Sequence, residues 1–467
     1  MNKFSIKTLA AIIGAELGQN AEAAITSVST DSRTVGPGEC FFAIKGENFN
    51  GHDYVEDVFS KGAACAVVEK AKAEQFTNKT ILAVDDTVKA LGDFAREYRR
   101  VMDFKVVAIT GSIGKTTTRQ IIAHVLSRHL RVKQSPKNFN NNIGLPLTIL
   151  GANADDQVII AELGSNSPGE ISYLAGIAQP DIAVVTNIYP AHLAGFGTIE
   201  AIVREKISIS EGLSSGGVLI INSDFERLVE ASRDINMRII TFGQSSQADI
   251  AAHDIKHLGT ASRFTIDGTH IFLPLPGKGN IDNALAAWAV CKQFDVKIED
   301  FAQALKGLSK VPMRAEVLKV GNLTIINDCY NANPASMENA LEILSELGRS
   351  RRRSQQGRLV FICGDMAELG PQTELLHADL GAAIAKANVK LLLAVGENAQ
   401  ITTEAAKKTG HDLETQCFEN TNAACNNLSQ FIKDTDIILI KGSRINKLEL
   451  AVEKLKQLFP QNVSIET

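Results

Sequence analysis

The sequence predicts an α/β protein of three units: a small N-terminal mixed α/β unit, a central parallel-sheet ATPase-like unit with a phosphate loop, and a C-terminal Rossmann-like unit. Three observations carry this. The chain has 467 residues, too many for one ordinary core and suited to about three domains. Two series of short β-branched apolar runs alternate with segments of helical spacing, the pattern of parallel strands buried on both faces. Between the first run of the first series and its helix stands Thr110-Gly111-Ser112-Ile113-Gly114-Lys115-Thr116-Thr117, a glycine turn of the kind that cradles phosphate.

Composition is that of a globular protein, 45% apolar and 22% charged. A net charge of −5 leaves no general nucleic-acid footprint, so an anionic ligand must be met by local positive groups. Seven cysteines, without a C-x-x-C pair, argue against a disulfide framework or a cysteine zinc site and for a reducing compartment. Lys3 and Lys7 before Leu9-Ala10-Ala11-Ile12-Ile13 resemble the start of a signal peptide, but Glu16 cuts the apolar run short. Residues 8–17 are therefore expected to form a short amphipathic helix. With no apolar stretch near 18 residues, no membrane span is expected and the chain reads as cytoplasmic.

Residues 1–100 form the first expected unit, with strands at Cys40–Ile44 and Ala64–Val68, a closing helix over 88–100 and a Gly/Asn-rich loop at 46–53. The second unit, 101–312, has strands at 105–110, 158–161, 182–186 and 217–221. The third, 313–467, begins past the break at Ser309-Lys310-Val311-Pro312 and has strands at 323–326, 359–362, 390–395 and 436–440. The basic run Arg349 to Gln356 reads as a solvated loop rather than a nucleic-acid patch.

The phosphate loop departs from the general pattern at Ile109, where a glycine is usual, and the shorter T-G-x-x-G-K-T form marks particular ATP-dependent ligases. Loop N–H groups and Lys115 suit the phosphates, and the Thr116 hydroxyl suits Mg²⁺. Glu162 and His192 each stand just past a buried strand, at the carboxyl edge where α/β ligands gather. Glu162 there is suited to a Mg²⁺ shell or is an ordinary loop carboxylate. Lys206, on the helix expected from Ile199, reads locally as a surface lysine. Asn280 and Asn283 share a helix face and suit a base edge, or Asn280 simply caps the helix. Asp328, past the strand opening the third unit, suits a ribose hydroxyl or belongs to an Asn-rich turn.

The phosphate loop, Glu162, His192, the Asn280/Asn283 pair, Arg314 and Asp328 to Pro334 occur in the order and spacing of the Mur ligases, which the chain resembles over all three units. Segments 43–53, 138–148 and Gly364-Asp365-Met366-Ala367-Glu368-Leu369-Gly370 extend the resemblance. It implies ATP-driven joining of D-alanyl-D-alanine to UDP-N-acetylmuramoyl tripeptide through an acyl phosphate, by a monomer. It further implies ATP at Thr110, Gly111, Ser112, Gly114, Lys115, Thr116 and Thr117, with adenine at Asn280 and Asn283. Asp328 and Asn331 would lie by the ribose and Arg314 by phosphate. Lys115, His192, Lys206 and Arg314 would serve catalysis. Thr116, Glu162, His192 and a carbamylated Lys206 would support Mg²⁺. The donor substrate would meet Ser32, Arg33, Lys45 and Asn140, Asn141 and Asn142; the dipeptide would meet Asn333 and Asp365. One position departs: Gly279 stands where the family pattern L-P-G-x-H-N has His, which predicts a more flexible loop before Asn280. A sister ligase, or a nucleotide-dependent switch without ligase chemistry, are the rival readings.

Overall fold

The computed structural model describes residues 4–17, 22–351, 357–410 and 412–460. Of the basic run expected as a loop, Arg349 to Arg351 instead end the helix Pro334–Arg351, and Arg352 to Gln356 lie outside the described residues. The central sheet has seven strands, all parallel, in the order Ile250–Ala251, Arg238–Gly243, Val218–Asn222, Ile182–Val185, Lys105–Thr110, Val158–Glu162, Val132–Gln134. Its inner strands are buried along almost their whole length because helices cover both faces. The connection from Lys105–Thr110 runs one way, to Val132–Gln134, and that from Val158–Glu162 runs the other, to Ile182–Val185, so the strand order reverses beside Lys105–Thr110. The crevice this opens at its carboxyl end is where an open parallel sheet binds ligands.

The third unit holds a six-stranded sheet ordered Glu316–Val320, Leu323–Asn327, Ile437–Lys441, Leu359–Gly364, Leu391–Val395, Glu414–Phe418. It is doubly wound as expected but not wholly parallel. Glu316–Val320 runs antiparallel to Leu323–Asn327 at one edge. The first unit has a five-stranded sheet, with Glu16–Leu17 antiparallel at its edge. The expected helix at 8–17 is corrected: it spans Ile6–Ile13, is capped by Ser5 and stops at left-handed Gly14.

The first two units share one core. The helix Thr87–Val101 buries Leu91, Phe94 and Tyr98 against the helices Gly144–Leu150 and Glu170–Ala178, in an apolar cluster running from Ile6 to Leu228. The Tyr98 hydroxyl donates to the Ala152 carbonyl at 2.7 Å, and Arg99 pairs with Asp181 at 2.8 Å. Gly92 makes the approach possible, since a Cβ there would lie 2.7 Å from the Tyr173 hydroxyl. The third unit keeps two apolar clusters of its own, one on each face of its sheet. The chain enters it through Met313 and Ala315, both left-handed (φ 58° and 49°) and flanking Arg314. The turn is held by the Ala315 N–H donating to Asp328 at 2.9 Å. Among the described residues no helix is long and apolar enough to cross a membrane, and the cysteines are free.

Candidate active site

Thr110 ends the central strand fully buried, its hydroxyl donating to the Leu163 carbonyl at 2.9 Å. The chain turns through Gly111 and Gly114, at φ 140° and 86°, and enters the helix Lys115–Leu126 with its first N–H groups unspent. Asn187, from the end of the neighbouring strand, holds the loop open by accepting from Ile113 N–H at 2.9 Å and donating to the Ile113 carbonyl at 3.1 Å. Ser112 donates to the Tyr189 carbonyl, also at 2.9 Å. Lys115 folds back on the Gly111 carbonyl at 2.5 Å. Burial pushes its ammonium down to about 8, against the pull of Glu162. A phosphate in the loop would supply the counter-charge that the site lacks.

Glu162 is buried, and Thr116 Oγ1 donates to its Oε2 at 3.2 Å. Its other oxygen lies 2.8 Å from Arg119 Nε. Arg119 follows Thr116 by three residues, the spacing that shares a helix face, so both turn to Glu162 once the helix packs on that strand. Lys206 is no surface lysine. It is 3% exposed on the helix Ile199–Ile207, its Nζ donating to Ser165 Oγ at 2.7 Å. Burial, with Lys115 nearby, pushes its pKa down to about 7. His192 is left-handed at φ 53° and starts the short helix Leu193–Phe196; its Nδ1 is hydrogen-bonded to Glu368 of the third unit.

The helix Lys278–Lys292 begins at Gly277, so Asn280 lies inside the first turn and is not the cap. Its amide donates to the Pro276 carbonyl at 2.7 Å, and Asn283 in turn donates to Asn280 Oδ1 at 3.2 Å. Asn283 Oδ1 also accepts from Thr118, tying the pair to the phosphate-loop helix. Gly279 belongs to this helical turn, which corrects the expectation of a flexible loop there; its N–H faces Asn339 Oδ1 at 3.4 Å.

From the third unit come Arg314, Asp328, Asn331 and Asn333. Arg314 stacks on the Tyr330 ring at 4.0 Å and reaches Thr116 Oγ1 at 3.3 Å. Asp328 accepts from Lys441 Nζ at 2.6 Å, and the Asn331 carbonyl accepts from the same ammonium at 3.0 Å. Asn333 Oδ1 accepts from Ser336 N–H, starting the helix after it.

These groups, apart from Thr110, Gly111 and Arg119, line one cleft of about 1330 Å³ between the second and third units, together with Asn140, Asn141 and Asn142. Lys206 stands behind it, through Ser165. Ser32, Arg33, Lys45 and Asp365 are not part of it. Arg33 pairs with Asp31 at 2.7 Å and holds that carboxyl down at about 2. Lys45 bridges to Asn50, and Asp365 accepts from Glu397 and Asn398 N–H groups.

A phosphate loop on a parallel sheet, completed by an arginine from a second doubly wound unit, defines a nucleotide-binding enzyme whose site assembles between units. The chain belongs to the Mur ligase family: residues 24–99 match the Mur ligase family, catalytic domain, 109–291 the Mur ligase middle domain, and 313–444 the Mur ligase, glutamate ligase domain. It is 34% identical over 460 residues to the UDP-N-acetylmuramoyl-tripeptide–D-alanyl-D-alanine ligase of Bacillus subtilis, covering 97% of this chain and 99% of the relative. The enzyme of that name from Escherichia coli is 31% identical over 98% and 99% of the two chains. Among solved structures, MurF from Acinetobacter baumannii superposes with a TM-score of 0.88 at 29% identity, covering 98% of this chain and 99% of that one. MurF ligase from Thermotoga maritima in complex with ADP gives 0.80 at 25% identity, over 92% and 97%.

Proposed function

We propose that this chain joins D-alanyl-D-alanine to UDP-N-acetylmuramoyl tripeptide at the expense of ATP, in the cytoplasm and as a monomer. The observation that carries the reading is the meeting of Lys115, Thr116, Glu162 and Arg314 in one cleft, beside the Asn280/Asn283 pair. Near full-length similarity to ligases of that name supports the substrates. We assign 1–100 to the UDP-sugar, 101–312 to ATP and 313–467 to the dipeptide and to closure over the nucleotide.

The tripeptide carboxylate attacks the γ-phosphorus and ADP leaves, giving an acyl phosphate. The dipeptide amine then attacks the acyl carbon, and the tetrahedral intermediate releases phosphate and a proton to leave an amide. Two anions must meet in the first step, so cations decide the rate. Lys115 and the loop N–H groups hold the β- and γ-phosphates, and Arg314 adds charge from the opposite wall. Asn280 and Asn283 meet adenine, with Asp328 and Asn331 beside the ribose. Thr110 and Gly111 shape the loop, while Ser112 and Thr117 border it.

Thr116 and Glu162 fit Mg²⁺, being two hard oxygen donors 3.2 Å apart. No cluster of three or more His, Cys, Asp or Glu suited to a metal occurs among the described residues. Phosphate oxygens and water would complete the shell, as Mg²⁺ prefers. Bound there, the ion would neutralise charge building on the phosphates. His192 would serve a second ion. Lys206, with a pKa near 7, presents the neutral amine that carbamylation by CO₂ requires. The resulting carbamate would place an anion beside Lys115. Asn140, Asn141 and Asn142 face the donor substrate in the cleft, and Asn333 faces the dipeptide. Ser32, Arg33 and Lys45 are assigned to the distant UDP end, and Asp365 to the dipeptide through its loop.

The test is phosphate release from ATP with the UDP-linked tripeptide, with and without D-alanyl-D-alanine. Release that needs both, with a new amide, supports the reading; release indifferent to both overturns it.

A further inference from the structure

His192 and Glu368 meet across the seam between the second and third units. Both are left-handed without being glycine, at φ 53° and 62°. Such backbone persists only where its surroundings over-determine it, and it collects at functional sites. Here two bonds do so. The His192 Nδ1 is bonded to the Glu368 carboxylate, and two residues on, the Ala194 N–H donates to the Glu368 carbonyl at 3.1 Å. Gly370 packs its backbone against Ala194 immediately behind. One short segment of the third unit therefore grips the His192 turn by side chain and main chain together.

The chemistry of the pair fixes a direction. A carboxylate only accepts, so the imidazole proton sits on Nδ1 and Nε2 keeps its lone pair. We propose that Glu368 is a positioning residue: it fixes His192 in the Nδ1–H tautomer, and it does so only while the third unit is seated on the second. Domain closure thereby sets which nitrogen of His192 is offered to the site. The proposal rests on the placement of His192 in the reaction centre given above, but the tautomer itself can be read without turnover.

A half-exposed carboxylate that merely glued two units together would be replaceable at little cost. The full chain with Glu368→Ala and Glu368→Gln separates the two roles. In ligand-free enzyme, the ¹⁵N shifts of His192, assigned by their loss in His192→Ala, should show Nδ1–H in the parent and in Glu368→Gln, whose amide oxygen still accepts. In Glu368→Ala they should show a mixture of tautomers. In turnover, Glu368→Ala should lower kcat by about 10–100-fold, the usual cost of losing a histidine's supporting partner, with KM for ATP little changed. Adding it to His192→Ala should cost nothing more. Should Glu368→Ala fail to fold, Glu368→Asp withdraws the carboxylate by one methylene and is expected to give the same tautomer mixture. A tautomer unaltered in Glu368→Ala or Glu368→Asp, or parental turnover in Glu368→Ala, overturns the proposal. A parent enzyme without synthetic activity would instead count against the proposed function and leave the tautomer result standing.

Discussion

The Arg314 guanidinium lies 3.3 Å from the Thr116 hydroxyl, so a residue of the third unit touches the phosphate loop of the second. Tyr330 beneath it fixes the plane of the fork. Arg314→Ala should lower phosphate release by about 10²–10³-fold, the scale for losing one preorganised charge donor. Arg314→Lys should recover little, because an ammonium offers neither the fork nor the stacking face. Parental rates in both variants would remove Arg314 from the chemistry.

Gly114 tests the loop. Its φ of 86° is hard for any other residue, and a Cβ there would overlap the Asn283 amide oxygen. Gly114→Ala should weaken ADP binding by at least about tenfold, equivalent to about 1.4 kcal/mol and within the usual cost of such strain. Calorimetric titration with ADP measures this, and unchanged affinity would contradict the loop's role.

Lys206→Ala should cripple turnover and be partly restored by short carboxylic acids that stand in for a carbamate. The sign with pH follows from its lowered pKa. Below about 7 the amine is protonated and cannot take up CO₂; above 7 it can. Enzyme stripped of CO₂ should therefore regain more activity at pH 8 than at pH 6 when the same partial pressure of CO₂ is returned at each pH. Recovery independent of both would remove the carbamate.

Asp282 lines the cleft, accepts from Gln244 Nε2 at 2.6 Å, and is pushed up to about 7 by burial. Its folded-state pKa lies above the unfolded one. The stabilisation is full below pH 4, declines as pH rises and is gone above about 7. Asp282→Asn should raise Tm relative to the parent at pH 8 more than at pH 5, by about 2–4 °C for each kcal/mol recovered. Equal Tm changes at both pH values would show that Asp282 is ionised throughout.

The sequence made legible whatever its apolar runs and glycine turns encode. The buried strands at 105–110, 158–162, 182–185, 359–364 and 437–441 were visible as continuous β-branched stretches. Edge strands were not, because half-buried strands alternate and carry polar residues: Glu316–Val320 and the antiparallel sheet His253–His257, Ser262–Ile266, Thr269–Leu273 went unseen. The Asp267-Gly268 turn inside that sheet was an available hairpin signal. At the site, position along the chain named Glu162 and His192, but the partners that set their chemistry, Arg119 and Glu368, depend on packing. Lys206 shows the limit most plainly. Its neighbours in sequence are mixed, and only the fold reveals that it is buried.

The shared core of the first two units has a consequence for how the chain comes off the ribosome. The helix Thr87–Val101 emerges early, with Leu91, Phe94 and Tyr98 on a face that nothing in the first hundred residues fully covers. Its cover, the helices Gly144–Leu150 and Glu170–Ala178, is made many residues later. The N-terminal segment must therefore wait, half dressed, until the second third of the protein arrives. The C-terminal sheet, with apolar clusters on both its own faces, can close on itself without that delay.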